Sequence, residues 1–102
     1  MGACTFAVVE KGKSAQDAFD RATADARYEY GHGGYTGTIA EKDEFVMIKP
    51  DQDATTWNEG EFFAYAYMLI EADDPRIDDK WGPAGCINMG RGEYLFFGWA
   101  SS

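Results

Sequence analysis

Apolar and polar residues alternate in patterns that predict strands and helices along the whole chain. Residues 3–9 form a short stretch rich in β-branched and aromatic side chains, which predicts a strand. Ser14, with Asp17 three residues later, predicts an acidic capping box, and apolar residues then recur at helical spacing as far as Tyr30. Gly31 stands where helices commonly end. The first two elements are therefore a strand and a helix whose apolar stripe is mostly alanine.

The segment after this helix is rich in glycine. Four of the seven residues in segment 31–37 are glycine, which predicts a loop with special backbone angles, and we expect a positive φ at Gly33 or Gly34. Residues 38–40 and 45–48 are two short strand candidates separated by a charged tetrapeptide. This pattern predicts a hairpin.

The longest apolar run of the chain, residues 62–70, fits either a strand or a helix. As a strand it would be apolar on both faces, whereas as a helix it presents one apolar stripe. Thr56 with Glu59 offers a second capping box, and the run contains alanines, so a helix is favoured. The Asp-Pro pair at 74–75 ends this helix, because the residue before a proline avoids the helical region.

The chain closes with two predicted strands, 86–89 and 94–100, joined by a glycine-rich turn at 90–92. The element order is β-α-β-β-α-β-β. This order predicts an α+β fold, an antiparallel sheet with two helices packed on one face. A chain of 102 residues has the size of one domain, so we expect residues 1–102 to form a single α+β domain.

Charge narrows the classes of partner. The net charge is −9, and residues 41–80 hold twelve acids and four bases, against five acids and four bases in residues 1–40. Direct binding to nucleic acid is disfavoured, because neutralising phosphates needs clustered Lys and Arg. An acidic segment instead suits the basic surface of another protein. The predicted partner-binding residues are Glu41, Asp43, Glu44, Asp51, Asp53, Glu71, Asp73, Asp74, Asp78, Asp79 and Trp81.

Two alternatives compete with this interpretation, beside the plain one that the acids form only a solvated surface. The first is a small-molecule or nucleotide site, enzymatic or sequestering, built on the glycine loop and comprising His32, Tyr35, Thr36, Lys42 and Lys80 together with Trp81. The second is an oligomerising module that uses the surplus of aromatic residues as an interface.

Catalytic and metal chemistry find little support in the sequence. Cys4 and Cys86 lie 82 residues apart, no C-x-x-C occurs and there is one histidine, so a structural zinc site is disfavoured. The aspartates of residues 73–79 do not fit a calcium loop, because Pro75 interrupts them. We expect no metal or cofactor, and a non-enzymatic protein is favoured. The thiols are expected to be reduced, and a disulfide requires their strands to be neighbours.

Features that would take the chain to or across a membrane are not evident. The run 62–70 has about half of the roughly 20 residues that a spanning helix needs. No basic segment followed by an apolar stretch opens the sequence, so we expect no secretory signal and a cytoplasmic location.

Two segments, 28–42 (Tyr-Glu-Tyr-Gly-His-Gly-Gly-Tyr-Thr-Gly-Thr-Ile-Ala-Glu-Lys) and 79–85 (Asp-Lys-Trp-Gly-Pro-Ala-Gly), resemble those of small uncharacterised acidic proteins of bacterial phages and other mobile elements. That resemblance implies a protein of mobile DNA in a bacterial host. Many proteins of this kind counter host defence, the anti-CRISPR inhibitors among them. The resemblance therefore suggests an inhibitor of a nucleic-acid-binding complex that acts by charge mimicry.

Overall fold

The computed structural model describes residues 2–31 and 36–102. The expected positive φ at Gly33 or Gly34 therefore lies outside the described residues, as do His32 and Tyr35. The elements in chain order are β1 (Ala3–Lys11), α1 (Ala15–Tyr30), a short 3-10 helix (Ile39–Glu41), β2 (Phe45–Met47), α2 (Glu59–Glu71), β3 (Ala84–Gly90) and β4 (Glu93–Ser101).

The strands form one mixed sheet in the order β1-β4-β3-β2. Strand β4 is antiparallel to both of its neighbours, whereas β2 runs parallel to β3. The predicted α+β class is confirmed, but an antiparallel pairing is wrong for β2. Parallel neighbours need a long crossover, and here α2 supplies it.

The predicted hairpin between residues 38–40 and 45–48 is also wrong, because the first of these segments is not a strand. The side chain of Thr38 accepts a hydrogen bond from the backbone N–H of Ala40 and so caps the 3-10 helix. The side chain of Glu41 accepts from the backbone N–H and the hydroxyl of Thr36, at 3.0 and 2.7 Å. These local side-chain bonds compete with a strand ladder and bend the segment instead.

The two helices pack on opposite faces of the sheet, not on one face as predicted. Phe96 and Ala100 of β4 belong to the core beneath α1, whereas Leu95 and Phe97 belong to the core beneath α2. Successive side chains of a strand point to opposite faces, so β4 contributes to both cores. The sheet is therefore the middle of three layers.

Helix α1 lies close to the sheet because its buried side chains are mostly alanine. Its larger anchor is Phe19, whose ring centroid lies 5.1 Å from that of Phe45 and 5.6 Å from that of Phe96. The predicted cap is confirmed, since the hydroxyl of Ser14 accepts from the backbone N–H of Asp17 at 3.1 Å. The predicted end of α1 near Tyr30 is confirmed as well.

Helix α2 confirms the helical interpretation of the apolar run, but its cap differs from the predicted one. Asn58 and Glu61 form a reciprocal capping box, in place of Thr56 and Glu59. The backbone N–H of Trp57 donates to the carbonyl of Ala54, so a turn occupies the residues just before the cap. The helix consequently starts with Glu59 as its first residue.

One glycine of β3 is required by close packing. A Cβ atom at Gly85 would lie 2.7 Å from Cζ of Phe97 and 3.0 Å from a methyl carbon of Ile77. Any larger side chain would therefore displace the phenyl ring from the core beneath α2.

The two cysteines are free thiols on strands that are not neighbours, because β4 separates β1 from β3. Cys4 is exposed, whereas Cys86 is buried. Burial raises the pKa of Cys86 to about 12, so its thiol stays protonated at neutral pH.

Lys42 is a buried cation at the start of β2. It is 1% exposed, and its Nζ donates to the backbone carbonyls of Asp79, Lys80 and Gly82 at 3.3, 3.2 and 2.8 Å. Burial lowers the pKa of Lys42, and the carboxylate of Asp79 opposes that shift. The ammonium group thus fastens the loop before β3 to the segment before β2.

The exposure of the two thiols predicts a large difference in reactivity. In the native protein, a thiol reagent such as Ellman's reagent is expected to modify Cys4 and not Cys86, and in denaturant it is expected to modify both. Raising the pH from about 7 to about 9 leaves Cys86 protonated, because burial raises the pKa of its thiol to about 12. The control is a Cys4→Ser variant, and rapid modification of that folded variant would contradict the assignment.

Because Lys42 fastens two segments together, we expect removal of its ammonium group to cause a large loss of stability. Lys42→Met keeps most of the side-chain volume but leaves three carbonyls without their donor. The free energy of unfolding is expected to fall by about 3 kcal/mol in urea denaturation. Lys11→Met removes an exposed lysine and serves as the control, with an expected change within about 0.5 kcal/mol. Equal stabilities of the two variants would show that the three hydrogen bonds contribute little.

Candidate functional site

The direction of the strands gives the sheet two different ends. Strands β2 and β3 begin together at one end, called here the amino end, and finish together at the other, the carboxyl end. Each helix connects a strand that finishes at the carboxyl end to one that begins at the amino end. Both helices therefore direct their C-termini, the negative ends of their dipoles, toward the amino end.

Seven of the predicted partner-binding acids lie around the amino end. They come from three segments: the residues just before β2, the last turn of α2 with the residues after it, and the loop before β3. The first and the third of these segments are tied together by Lys42 and by the backbone N–H of Ala84, which donates to the carbonyl of Glu44 at 3.0 Å. All but Asp74 are exposed. We name this group the acidic end: Asp43, Glu44, Glu71, Asp73, Asp74, Asp78 and Asp79.

The cations in the segments that form the acidic end are held by contacts with other groups of the protein. Arg76 makes an ion pair with Asp74 at 2.7 Å, and the hydrogen bonds from Arg76 hold the pKa of that carboxyl below its usual value. The Nζ of Lys80 lies 5.5 Å from the centroid of the Trp81 ring and donates to the carbonyl of Gly2 at 3.3 Å. Lys42, in the segment before β2, is buried and bonded to backbone carbonyls.

Trp81 is a large and exposed apolar side chain in the loop before β3. It is 62% exposed, although its backbone is well held. The carboxylate of Asp79 accepts from the backbone N–H of Trp81 at 2.8 Å, and the carbonyl of Asp79 accepts from Gly82 at 2.9 Å. An exposed indole on an ordered turn, beside a group of carboxylates, can act as an anchor for a protein partner.

The remaining predicted partner-binding residues are not part of the acidic end. Asp51 and Asp53 follow β2 on the side of the carboxyl end. Asp51 lies 3.4 Å from the hydroxyl of Tyr65, and Asp53 accepts two hydrogen bonds from Thr55, which lower its pKa. Glu41 is half-buried and binds Thr36. The acidic segment is therefore divided between the two ends of the sheet.

The alternative ligand site on the glycine loop is only partly described. His32 and Tyr35 lie outside the described residues. Thr36 is bonded to Glu41, and all three donor hydrogens of Lys42 are directed at carbonyls of the chain itself. Thr36 and Lys42 therefore have structural roles, which the sequence pattern did not indicate.

A cavity of about 800 Å³ opens at the carboxyl end, and the sequence analysis did not anticipate it. Its apolar walls come from the end of β2 and the residue after it, from the loop before α2, from the first turn of α2 and from β3: Met47, Ile48, Trp57, Phe62 and Met89. Two cations, Lys49 and Arg91, line it as well. The methionines and the tryptophan belong to separate segments, so spacing along the chain gave no signal of this site.

A second depression, of about 490 Å³, follows the free edge of β1. Glu10, Asp25 and Glu29 line it. Burial, together with the nearby charge of Asp25, raises the pKa of Glu10. This face adds to the negative potential of the molecule outside the acidic segment.

Within residues 2–31 and 36–102, no three His, Cys, Asp or Glu side chains are grouped so that they could hold a metal ion. None of the helices in the same part of the chain is both long and apolar enough to cross a membrane.

Comparison of the chain with protein-family models, with curated proteins and with solved structures finds no match.

Proposed function

We propose that the protein is a non-enzymatic binding protein whose acidic end docks on a basic, nucleic-acid-binding surface of a partner and blocks it. The observation that carries the proposal is the convergence of three separate segments on the amino end of the sheet, which brings seven carboxylates together. In this role the carboxylates replace the phosphates of a nucleic acid. Because two segments resemble those of proteins of mobile elements, the proposed partner is a bacterial defence complex.

The local electrostatics support this role. Of the cations in the segments that form the acidic end, Arg76 is paired with Asp74 and Lys42 is buried. The C-terminal ends of both helices add partial negative charge there. A concentrated negative field of this kind accelerates encounter with a basic partner and acts within a Debye length of about 8 Å at physiological salt.

Trp81 supplies the apolar contact that charge alone does not give. Exposed charge pairs contribute mainly to association rate and specificity, whereas a desolvated tryptophan contributes directly to affinity. The turn at Asp79 holds the backbone of Trp81, so the segment that carries the ring does not have to become ordered when the ring is covered.

Charge reversal at the acidic end is expected to weaken partner binding much more than the same reversal elsewhere. The test variant is Asp43→Lys with Asp78→Lys, because both side chains are exposed and neither accepts a hydrogen bond that stabilises a cap or turn. The matched control, Asp20→Lys with Glu59→Lys, changes the net charge equally at exposed helical positions. Circular dichroism verifies that both variants fold.

Binding is measured with partners captured from a nuclease-treated bacterial lysate, then purified and titrated at low and high salt. The test variant is expected to lose about tenfold or more in affinity at low salt, and the control less than about twofold. The protein should also displace labelled nucleic acid from the partner. Equal losses for the two variants, simultaneous binding of protein and nucleic acid, or capture of no nucleic-acid-binding protein would each contradict the proposal.

A further inference from the structure

We propose that the cavity at the carboxyl end binds a small organic anion with a flat apolar body, such as an aromatic carboxylate. This site lies at the opposite end of the sheet from the acidic end and does not depend on the proposed docking role. The proposal is supported by the shape and lining of the cavity, by the fixed loop that forms it, and by the two cations in its wall.

The cavity has the size and position of a ligand site. Its volume of about 800 Å³ falls within the roughly 300–1,000 Å³ that is usual for small-molecule sites. It lies beyond the ends of the parallel strands β2 and β3. The chain leaves these two strands in different directions, because β2 continues into the loop before α2 whereas β3 turns back into β4. Crevices at the carboxyl ends of parallel strands, where connections diverge, are common ligand sites in open sheets.

The wall formed by the loop before α2 is held in place before any ligand arrives. The ring of Trp57 packs against Phe62 and Tyr65, with centroid distances of 5.3 and 5.4 Å. The hydroxyl of Tyr65 accepts from the backbone N–H of Asp51 at 3.3 Å and so fastens the loop to the helix. A ligand therefore does not have to order this wall on binding.

The apolar side chains of the lining suit a flat ring. Trp57 offers an aromatic face, and the thioethers of Met47 and Met89 adapt to irregular ring edges. Met47 is 49% exposed, which is a large apolar exposure for a side chain next to a sheet. A bound ring would cover it.

The two cations determine the charge of the ligand. Lys49 and Arg91 form no ion pair and no side-chain hydrogen bond with the rest of the described chain, although acids outnumber bases two to one in the sequence. Arg91 is fixed in the turn between β3 and β4, where its φ is 57° between two glycines that also have positive φ. The acid in the lining, Asp53, already accepts two hydrogen bonds from Thr55. The lining thus favours a negative group.

The test compares three ligands that share one naphthalene body and differ in charge: 2-naphthoate, 2-naphthamide and 2-naphthylmethylamine. The readout is NMR of the protein labelled in its methionine methyl groups. Met47 and Met89 line the cavity, whereas Met68 lies on the exposed side of α2 and serves as an internal control. Dilution of the protein without ligand shows whether a second copy occupies the cavity.

Naphthoate is expected to shift the methyl resonances of Met47 and Met89 but not that of Met68, with a dissociation constant on the order of 0.1–1 mM. It should bind about five to ten times more tightly than the amide, and the amine should bind most weakly. In a Lys49→Gln, Arg91→Gln variant this charge preference should disappear. A Lys11→Gln, Lys13→Gln variant, with the same change in net charge, should retain it.

Equal binding of all three ligands would overturn the assignment of an anion. The absence of binding at several millimolar naphthoate, or shifts of Met68 equal to those of the lining methionines, would overturn the site itself. Concentration-dependent shifts of Met47 and Met89 without ligand would identify a second copy of the chain as the occupant and would also overturn the proposal.

Discussion

Burial of β4 on both faces is the constraint on which the rest of the structure depends. Its side chains from Leu95 to Phe97 are completely buried although they point alternately to the two sides of the sheet. A strand of this kind has no face that can be left to water, so each side of the sheet must be covered by a helix. The three-layer arrangement follows from this requirement, and the crossover through α2 supplies the cover on one of the two faces.

Much of the fold could be predicted from local sequence patterns, because interactions between neighbouring residues determine where several of its helices and strands begin and end. The cap at Ser14, the end of α1 near Tyr30 and the last two strands were identified by short-range signals. The prediction that both helices pack on one face was wrong. The uninterrupted apolar run of residues 94–100 already indicated a strand that is buried on both faces. The 3-10 helix at residues 39–41 was missed because its side-chain bonds to Thr36 and Thr38 have no characteristic periodicity.

The candidate sites were less predictable, because each is formed by segments that are separate in the sequence and come together only in the folded chain. The acidic segment looked like one surface in the sequence, but β2 and α2 cross the sheet in opposite directions and leave Asp51 and Asp53 at the end of the sheet opposite to the acidic end. Lys42 looked like a ligand-binding residue, yet a buried ammonium group directed at three carbonyls gives no signal along the chain. The cavity is formed by residues 47–57 together with β3 and its turn, and only the parallel pairing of β2 and β3 brings them together.

The pairing of β1 with β4 also has a consequence for how the chain folds. Ala3 lies opposite Ser101, so this ladder joins segments that are separated by almost the whole described chain. Closing so long a loop costs conformational entropy before the contacts of the ladder form and offset it, and this slows folding. During synthesis β1 leaves the ribosome long before β4. This apolar strand therefore stays unpaired while the β2–α2–β3 unit and the β3–β4 hairpin form. An inner strand of the sheet, β4, is thus also the last of its strands to be made, and β1 completes the sheet only when β4 is present to pair with it.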